Sequence, residues 1–348
     1  MSKENKKILI IGVNGFIGNR LTEMLLEQTH YTIYGFDLFD NNLENCLENP
    51  RFHFTKGDVT IDQDWIESHV EKCDVVLPLA AIATPATYVS DPLRIFELDF
   101  ESNLAVIRLA AKYHTRIIFP STSEVYGMCQ DEAFDEETSP FITGPTNKSR
   151  WIYSCSKQLL DRVIHAYGEH EGLNYTLFRP FNWYGPKLDN IHNKKAGGSR
   201  ALTQFLGNIL RGEPIKLVDG GQQRRTFCYL DDGVQGIVKM IVNKDDKASN
   251  QIINLGNPQE NASIREFAEQ LLEVFAALPQ HAHFAKNTKL VDISSEDYYG
   301  KGYQDVNARV PAIAQAKKLI DWTPTTNLKS GLEKTVAYYI KEFDVVEL

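Results

Sequence analysis

The chain has 348 residues, 43% of them hydrophobic and 24% charged. That is an ordinary globular mix, long enough to bury a sizeable core in one large α/β unit or two lobes. The net charge of −9 and the pI near 5.5 argue against non-specific binding to nucleic acid or to an anionic membrane, both of which rely on clustered Lys and Arg. Five cysteines (Cys46, Cys73, Cys129, Cys155 and Cys228) form no CxxC, so neither a disulfide framework nor a metal site is expected. Reduced thiols fit a cytoplasmic protein. The charged N-terminus runs into a short apolar stretch soon broken by glycines, which suits neither a signal peptide nor a membrane span.

Ile8–Ile11 reads as a strand buried on both faces, followed by a helix from Phe16 to about Glu27 with Ile17, Leu21, Leu25 and Leu26 at helical spacing. Further strands are predicted at Tyr31–Phe36, Phe52–Thr55, Val75–Leu79 and Arg116–Phe119, with one long helix from Pro92 to about Tyr113. Strands alternating with helices predict a doubly wound, Rossmann-type α/β fold with a parallel sheet. After Pro120 the loops lengthen and fill with Gly, Pro, Asn and Ser. A helix at Trp151 to about Gly168 and a sixth strand at Tyr175–Arg179 complete the first part. Beyond them lie helices near 202–210, 232–242, 264–275 and 328–341 and a strand at Ile215–Val218. The expected division is a cofactor-binding domain over residues 1–180 and a smaller, loop-rich substrate lobe over 181–348, interleaved with the last sheet elements.

Gly12, Gly15 and Gly18 form GxxGxxG between the first strand and the first helix, within Gly12-Val13-Asn14-Gly15-Phe16-Ile17-Gly18. The first glycine permits a tight turn, the second a close approach to a pyrophosphate, and the third close packing of helix on strand. The helix N-terminus adds free N–H groups and a favourable dipole. Asp37 ends the second strand, where a carboxylate accepts hydrogen bonds from an adenosine ribose and repels a 2′-phosphate. That favours NAD over NADP. Asp58 and Val59, after the third strand, are candidates to lie beside the adenine; for Asp58 a helix-capping role is an equally ordinary reading.

Tyr153-Ser154-Cys155-Ser156-Lys157 is YxxxK in a predicted helix, so Tyr153 and Lys157 share a face. A lysine there lowers the tyrosine pKa by its charge, and the tyrosine takes a proton from an alcohol as hydride leaves the carbon. Ser121-Thr122-Ser123, directly after the fifth strand, supplies a hydroxyl to hold that alcohol, with Thr122 and Ser123 the candidates.

Together these features resemble the extended short-chain dehydrogenase/reductases, whose members act on nucleotide sugars. Four segments narrow the resemblance: Pro120-Ser121-Thr122-Ser123-Glu124-Val125-Tyr126-Gly127, Arg150-Trp151-Ile152-Tyr153, Arg179-Pro180-Phe181-Asn182-Trp183 and Tyr298-Tyr299-Gly300-Lys301-Gly302-Tyr303-Gln304-Asp305. They are similar to the dehydrogenase/decarboxylase half of the bifunctional polymyxin-resistance enzyme and to plant UDP-apiose/UDP-xylose synthases. The resemblance implies oxidation of UDP-glucuronic acid at C4″, followed by loss of CO₂ from the β-keto acid. It implies Glu124 and Arg309 as an added catalytic pair. It also implies Asn182, Lys216, Arg225 and Tyr303 as nucleotide contacts and Ala83, Tyr88 and Arg150 as contacts near the sugar. Since a guanidinium is a poor acid, Arg309 is read as a carboxylate anchor that also directs a water.

Two departures stand out. The bifunctional relative carries a formyltransferase domain before this one, whereas this sequence opens at the Rossmann strand, so no formylation is expected. Tyr184 stands where Met is expected after Trp183. The alternatives are a 4-epimerase or dehydratase of a related nucleotide sugar, which needs no carboxylate handling, and a non-catalytic NAD-binding protein, which should lack the Tyr-Lys pair. The helices at 92–113 and 151–168 resemble those of a four-helix dimer interface, so a homodimer is expected.

Overall fold

A computed structural model describes residues 5–195 and 197–346. The first half runs β1 (Lys7–Ile11), α1 (Phe16–Gln28), β2 (Thr32–Asp37), β3 (Phe52–Lys56), α2 (Gln63–Lys72), β4 (Val75–Pro78), α3 (Pro85–Ser90) and α4 (Pro92–Ile95). A π-helix, Phe96–Ser102, leads into α5 (Asn103–Tyr113), β5 (Arg116–Pro120), a 3₁₀ turn (Ser123–Tyr126), α6 (Trp151–Glu171) and β6 (Tyr175–Pro180). The single helix expected over 92–113 is therefore three segments.

Then come β7 (Trp183–Tyr184), α7 (Ala201–Leu210), β8 (Ile215–Val218), β9 (Arg224–Thr226), β10 (Cys228–Tyr229) and α8 (Leu230–Val242). The chain ends with β11 (Gln251–Leu255), β12 (Asn261–Ser263), α9 (Ile264–Ala276), α10 (Ala282–Asn287), β13 (Leu290–Ile293), α11 (Ser295–Tyr299), α12 (Ala314–Ile320) and α13 (Leu328–Val346).

Seven strands form one parallel sheet in the order β11-β6-β5-β4-β1-β2-β3. Apolar runs such as Ile8–Ile11 suit it because both faces are covered: α1, α8 and α12 pack on one side, and α2, α5 and α6 on the other. Strand order reverses between β1 and β4. Ligands bind outside the carboxyl ends of the strands at such a switch point.

Three two-stranded pairs, β7 with β10, β8 with β13 and β9 with β12, shape the substrate lobe. None was predicted as a pair, because each strand is too short to show alternation. The lobe has its own core of α7, α9 and α13 side chains, including Phe205, Phe267 and Tyr339. The Ser263 side chain accepts from the Glu266 N–H and Glu266 accepts from the Ser263 N–H, a capping box that fixes the start of α9. β11 returns to the main sheet beside β6, so the lobe is interleaved with the cofactor domain rather than appended to it. Among the described residues, no helix is long and apolar enough to cross a membrane, and no group of three or more His, Cys, Asp or Glu could hold a metal.

Candidate active site

Two adjoining cavities open at the switch point. The larger, ≈ 570 Å³, is floored by the β1–α1 loop and walled by the ends of β4, β5 and β6. Gly12, Gly15, Phe16, Ile17 and Gly18 line it, as do Ala83, Tyr88, Thr122, Ser123, Tyr153 and Lys157. The smaller, ≈ 200 Å³, reaches into the substrate lobe and is lined by Arg150, Lys216, Arg225 and Tyr303. Glu124, Asn182 and Arg309 line both, so they stand where the cavities meet.

The loop leaves no room for side chains. Gly12 has φ +85°, and a Cβ there would lie 2.6 Å from the Ala80 nitrogen; a Cβ on Gly18 would lie 2.4 Å from the Gly12 oxygen. No side chain caps α1, so its first N–H groups face the cavity unclaimed. This cradle fits the pyrophosphate of a dinucleotide. Asp37 braces it from behind: its carboxylate accepts from the Asn14 N–H at 2.9 Å and the Phe39 N–H at 3.3 Å. Burial raises its pKa, and those donors oppose the rise. Asp37, Asp58 and Val59 do not line the larger cavity. Asp58 makes a local turn, accepting from the Thr60 N–H at 2.8 Å and the Thr60 hydroxyl at 2.7 Å. Val59 packs against the α2–α5–α6 core.

Tyr153 and Lys157 project from one face of α6 and are both buried. The Lys157 ammonium donates to the Pro120 carbonyl at 2.9 Å, at the end of β5. Tyr153 stacks on Tyr88 with ring centroids 4.7 Å apart and shares a hydrogen bond with the Thr122 side chain. Burial pushes the phenol up, and the Asp99 and Glu124 carboxylates add to the rise. The lowering expected from Lys157 does not prevail in the protein by itself. Burial likewise lowers Lys157, against the pull of Asp99 and Asp161. Thr122 also starts the 3₁₀ turn, accepting from the Glu124 N–H at 3.2 Å, which sets the direction of Glu124.

Glu124 lies between two arginines. Arg309 Nη1 is 2.5 Å from Oε1, and Arg150 Nη1 is 2.7 Å from Oε2, the latter ion pair bent away from hydrogen-bond geometry. Burial raises the carboxyl, but the two guanidinium charges outweigh it and hold it at about 2. Arg309 is pushed down by burial and by the neighbouring Arg225 and Arg150 charges. Its Nε, like Arg150 Nε, is buried with no partner. Arg225 is engaged by Asp305 at 2.7 Å and by the Val306 carbonyl at 2.8 Å. Tyr303 stacks on Tyr299 at 4.1 Å, with the Arg150 guanidinium over its ring at 5.7 Å. Asn182, at φ +42°, donates to the Thr226 carbonyl at 3.1 Å.

Several cavity residues carry no sequence signal of their own. Arg200 lines both cavities, pairs with Asp189 at 2.9 Å and sits over the Phe16 ring at 5.3 Å. Tyr298, Tyr299 and Asp305 line the smaller cavity. All three fall within a segment that carried the resemblance, yet were not singled out. Tyr184 is buried in the lobe core and lines the smaller cavity, its hydroxyl donating to the Leu328 carbonyl at 3.3 Å. Cys129 is buried and burial raises its pKa, so nothing marks it as a nucleophile.

Comparison with known proteins fits this geometry. The crystal structure of PbgP3 protein from Burkholderia pseudomallei is 50% identical, covering 98% of each chain with a TM-score of 0.89. UDP-glucuronic acid 4-epimerase from Bacillus cereus, solved with UDP-glucuronic acid and NAD, is 24% identical over 97% of this chain and 99% of its own, with a TM-score of 0.81. UDP-glucose 4-epimerase from Thermotoga maritima, solved with UDP-glucose, is 23% identical over the same shares, with a TM-score of 0.79. The last two likenesses speak for the fold alone. Residues 8–256 match the family described as the NAD dependent epimerase/dehydratase family, so the chain belongs to that family, and NAD is its cofactor.

Proposed function

We propose that the protein is an NAD-dependent UDP-glucuronate decarboxylase. The observation that carries this reading is Glu124, a buried carboxylate held between Arg150 and Arg309 where the cofactor and substrate cavities meet. A 4-epimerase of a neutral nucleotide sugar needs only a proton-transfer pair and a ketone free to turn. Two buried guanidiniums facing the reaction centre suit a substrate that brings its own carboxylate, and the product then separates a decarboxylase from a uronate epimerase.

In this reading the sugar C4″ hydroxyl lies between Thr122 and Tyr153. Tyr153 accepts its proton as hydride departs to NAD, the two-electron acceptor. Burial raises Tyr153; Lys157 on the same face of α6, and the positive charge that NAD⁺ would bring when bound, would act against that rise. The product is a 4-keto acid whose C6″ carboxylate is β to the ketone. The C5″–C6″ bond breaks, its electron pair enters an enolate, and CO₂ leaves. Tyr153, now protonated, stabilises the enolate oxygen, and C5″ takes up a proton. Arg309 orients the carboxylate and, through a water, the proton donor. Arg225, Lys216, Asn182 and Tyr303 serve the diphosphate and uridine, and Ala83, Tyr88 and Arg150 the sugar end. On the cofactor side, Asp37 faces the adenosine ribose, with Asp58 and Val59 beyond it.

The protein acts as a homodimer through α5 and α6. Leu159 on α6 is 50% exposed, Leu93 on α4 71%, and Phe96, which begins the π-helix before α5, 37%.

The test is the purified protein with NAD⁺ and UDP-glucuronate, following NADH absorbance and CO₂ together. CO₂ with equal NADH gives release of the UDP-4-keto-pentose. CO₂ without net NADH gives re-reduction to UDP-xylose. Turnover to UDP-galacturonate without CO₂ overturns the decarboxylase in favour of an epimerase.

A further inference from the structure

Away from the active site, a cavity of ≈ 620 Å³ opens between the end of α1, the later turns of α8 and the end of α12. It lies at the opposite end of the sheet from the switch-point crevice. Tyr31, which lines it, stands just before β2, whereas Asp37 ends that strand. Tyr31, Val238, Val242, Leu319 and Ile320 form an apolar floor, and Tyr31, Val238 and Ile320 are buried there. Gln28 Nε2 donates to Gln235 Oε1 at 3.1 Å, which ties α1 to α8 along one wall.

Lysines surround this floor: Lys239, Lys244, Lys247 and Lys318. Two carboxylates, Asp245 and Asp321, also line the cavity. Lys247 approaches Asp245 at 3.7 Å, and Lys239 donates to the backbone carbonyl of Asp321 rather than to its carboxylate. Lys244 and Lys318 are exposed and make no ion pair among the described residues. Four lysines against two aspartates give a local excess of positive charge on a chain whose net charge is −9. Lysine stems cover apolar surface when they lie along it. Here they leave the cavity open.

We propose that this cavity is a second ligand site, for a soluble amphiphilic anion: a carboxylate or phosphate headgroup on a short apolar body. An enclosed apolar floor with a few converging polar groups is the usual form of a small-molecule site. A bare anion would leave the floor wet, and a neutral apolar molecule would leave the lysines uncompensated. A ligand with both parts puts its headgroup on Lys244 and Lys318 and its body on Tyr31, Val238 and Ile320. The cavity encloses one such molecule, and the acidity of the whole chain opposes an anionic bilayer. The site shares no residue with either active-site cavity, so it stands apart from the substrate reading.

The test is calorimetric titration of the NAD-loaded wild type with decanoate, below its micellar range. One equivalent should bind, and the melting temperature should rise with it. The double variant Lys244→Glu, Lys318→Glu changes two exposed positions and leaves the apolar floor intact. Its affinity for decanoate should fall at least about tenfold, because the charge-assisted contacts are lost. Decanol, which has the body without the charge, should bind both proteins alike and more weakly than decanoate binds the wild type. Val238→Trp fills the cavity and should abolish binding of both probes; if it does not fold, the charge-reversed variant decides alone. Failure of decanoate to bind at one equivalent overturns the proposal, as does equal affinity in the charge-reversed variant. Co-sedimentation with phosphatidylglycerol vesicles, without binding of free decanoate, makes the lysines a membrane-facing patch and overturns it as well.

Discussion

Arg309 and Glu124 meet at 2.5 Å across the mouth between the two cavities, although 185 positions separate them in sequence (309 less 124). The contact leaves Arg309 with a buried, unpartnered Nε and a charge only partly compensated, since Arg150 shares the same carboxylate. Such an arginine can take a second carboxylate. Replacing Arg309 with Ala should spare NAD binding and alcohol oxidation but slow CO₂ release by about 10²–10³-fold, the usual loss for one aimed donor. Parallel CO₂ and NADH traces check this. Normal decarboxylation by the variant removes Arg309 from the chemistry.

Glu124 itself leaves a pH signature on stability. Two guanidiniums hold it at about 2, below the ordinary 4.5. Its contribution is therefore complete above pH 4.5 and drains away as pH falls toward 2. That range corresponds to about 3 kcal/mol at the usual conversion. Glu124→Gln should be less stable at neutral pH by about 3–5 kcal/mol, because two buried guanidiniums lose their partner. Urea unfolding at pH 7 and at pH 3 checks it: the gap between variant and wild type should narrow at the lower pH.

Tyr153→Phe should bind NAD normally, since the pyrophosphate cradle is built from the backbone of the β1–α1 loop, and should keep the stack on Tyr88 at 4.7 Å. Removing the hydroxyl removes the proton acceptor, a loss of about 10²–10⁴ in rate. Single-turnover NADH formation at saturating substrate measures it directly. Residual turnover within tenfold of the wild type would mean that Thr122 or a water takes the proton instead.

The parts legible in the sequence were those with local period or spacing. The glycine loop sits between a strand and a helix, and YxxxK puts Tyr153 and Lys157 on one helical face; both patterns are complete within seven residues. Arg309, Arg225 and Lys216 belong to no such pattern, and only the resemblance drew attention to them. Tertiary folding brings them together from separate segments of the substrate lobe. Asp99 was invisible because a lone acid in an amphipathic helix reads as solvent-facing. Asp37 shows the reverse limit: its place at the end of β2 was plain, but not that its carboxylate would already brace Asn14 and Phe39.

Gly18 makes the cradle testable apart from the chemistry. A Cβ there would lie 2.4 Å from the Gly12 oxygen and 2.8 Å from the Val13 Cα, both backbone atoms that cannot swing aside. Gly18→Ala should push α1 away from the loop and misalign the N–H groups that receive the pyrophosphate. The expected result is at least tenfold weaker NAD binding by calorimetry, with far-ultraviolet circular dichroism retained. Unchanged affinity would place the pyrophosphate elsewhere.

The dimer can be tested at Leu159. This side chain is 50% exposed on α6, and Leu93 and Phe96, 71% and 37% exposed, lie on the neighbouring helical segments. Phe96 stacks on Phe100 at 5.5 Å, which extends the apolar face along the π-helix. A charge at the centre of a symmetric helix face is buried twice in the dimer, once from each copy, and the two like charges meet. Leu159→Glu should therefore sediment as a monomer at concentrations where the wild type is a dimer. Because α6 carries Tyr153 and Lys157, separation should also lower turnover while each subunit stays folded. A variant that remains dimeric would move the interface away from this face, and a wild type that sediments as a monomer would remove it.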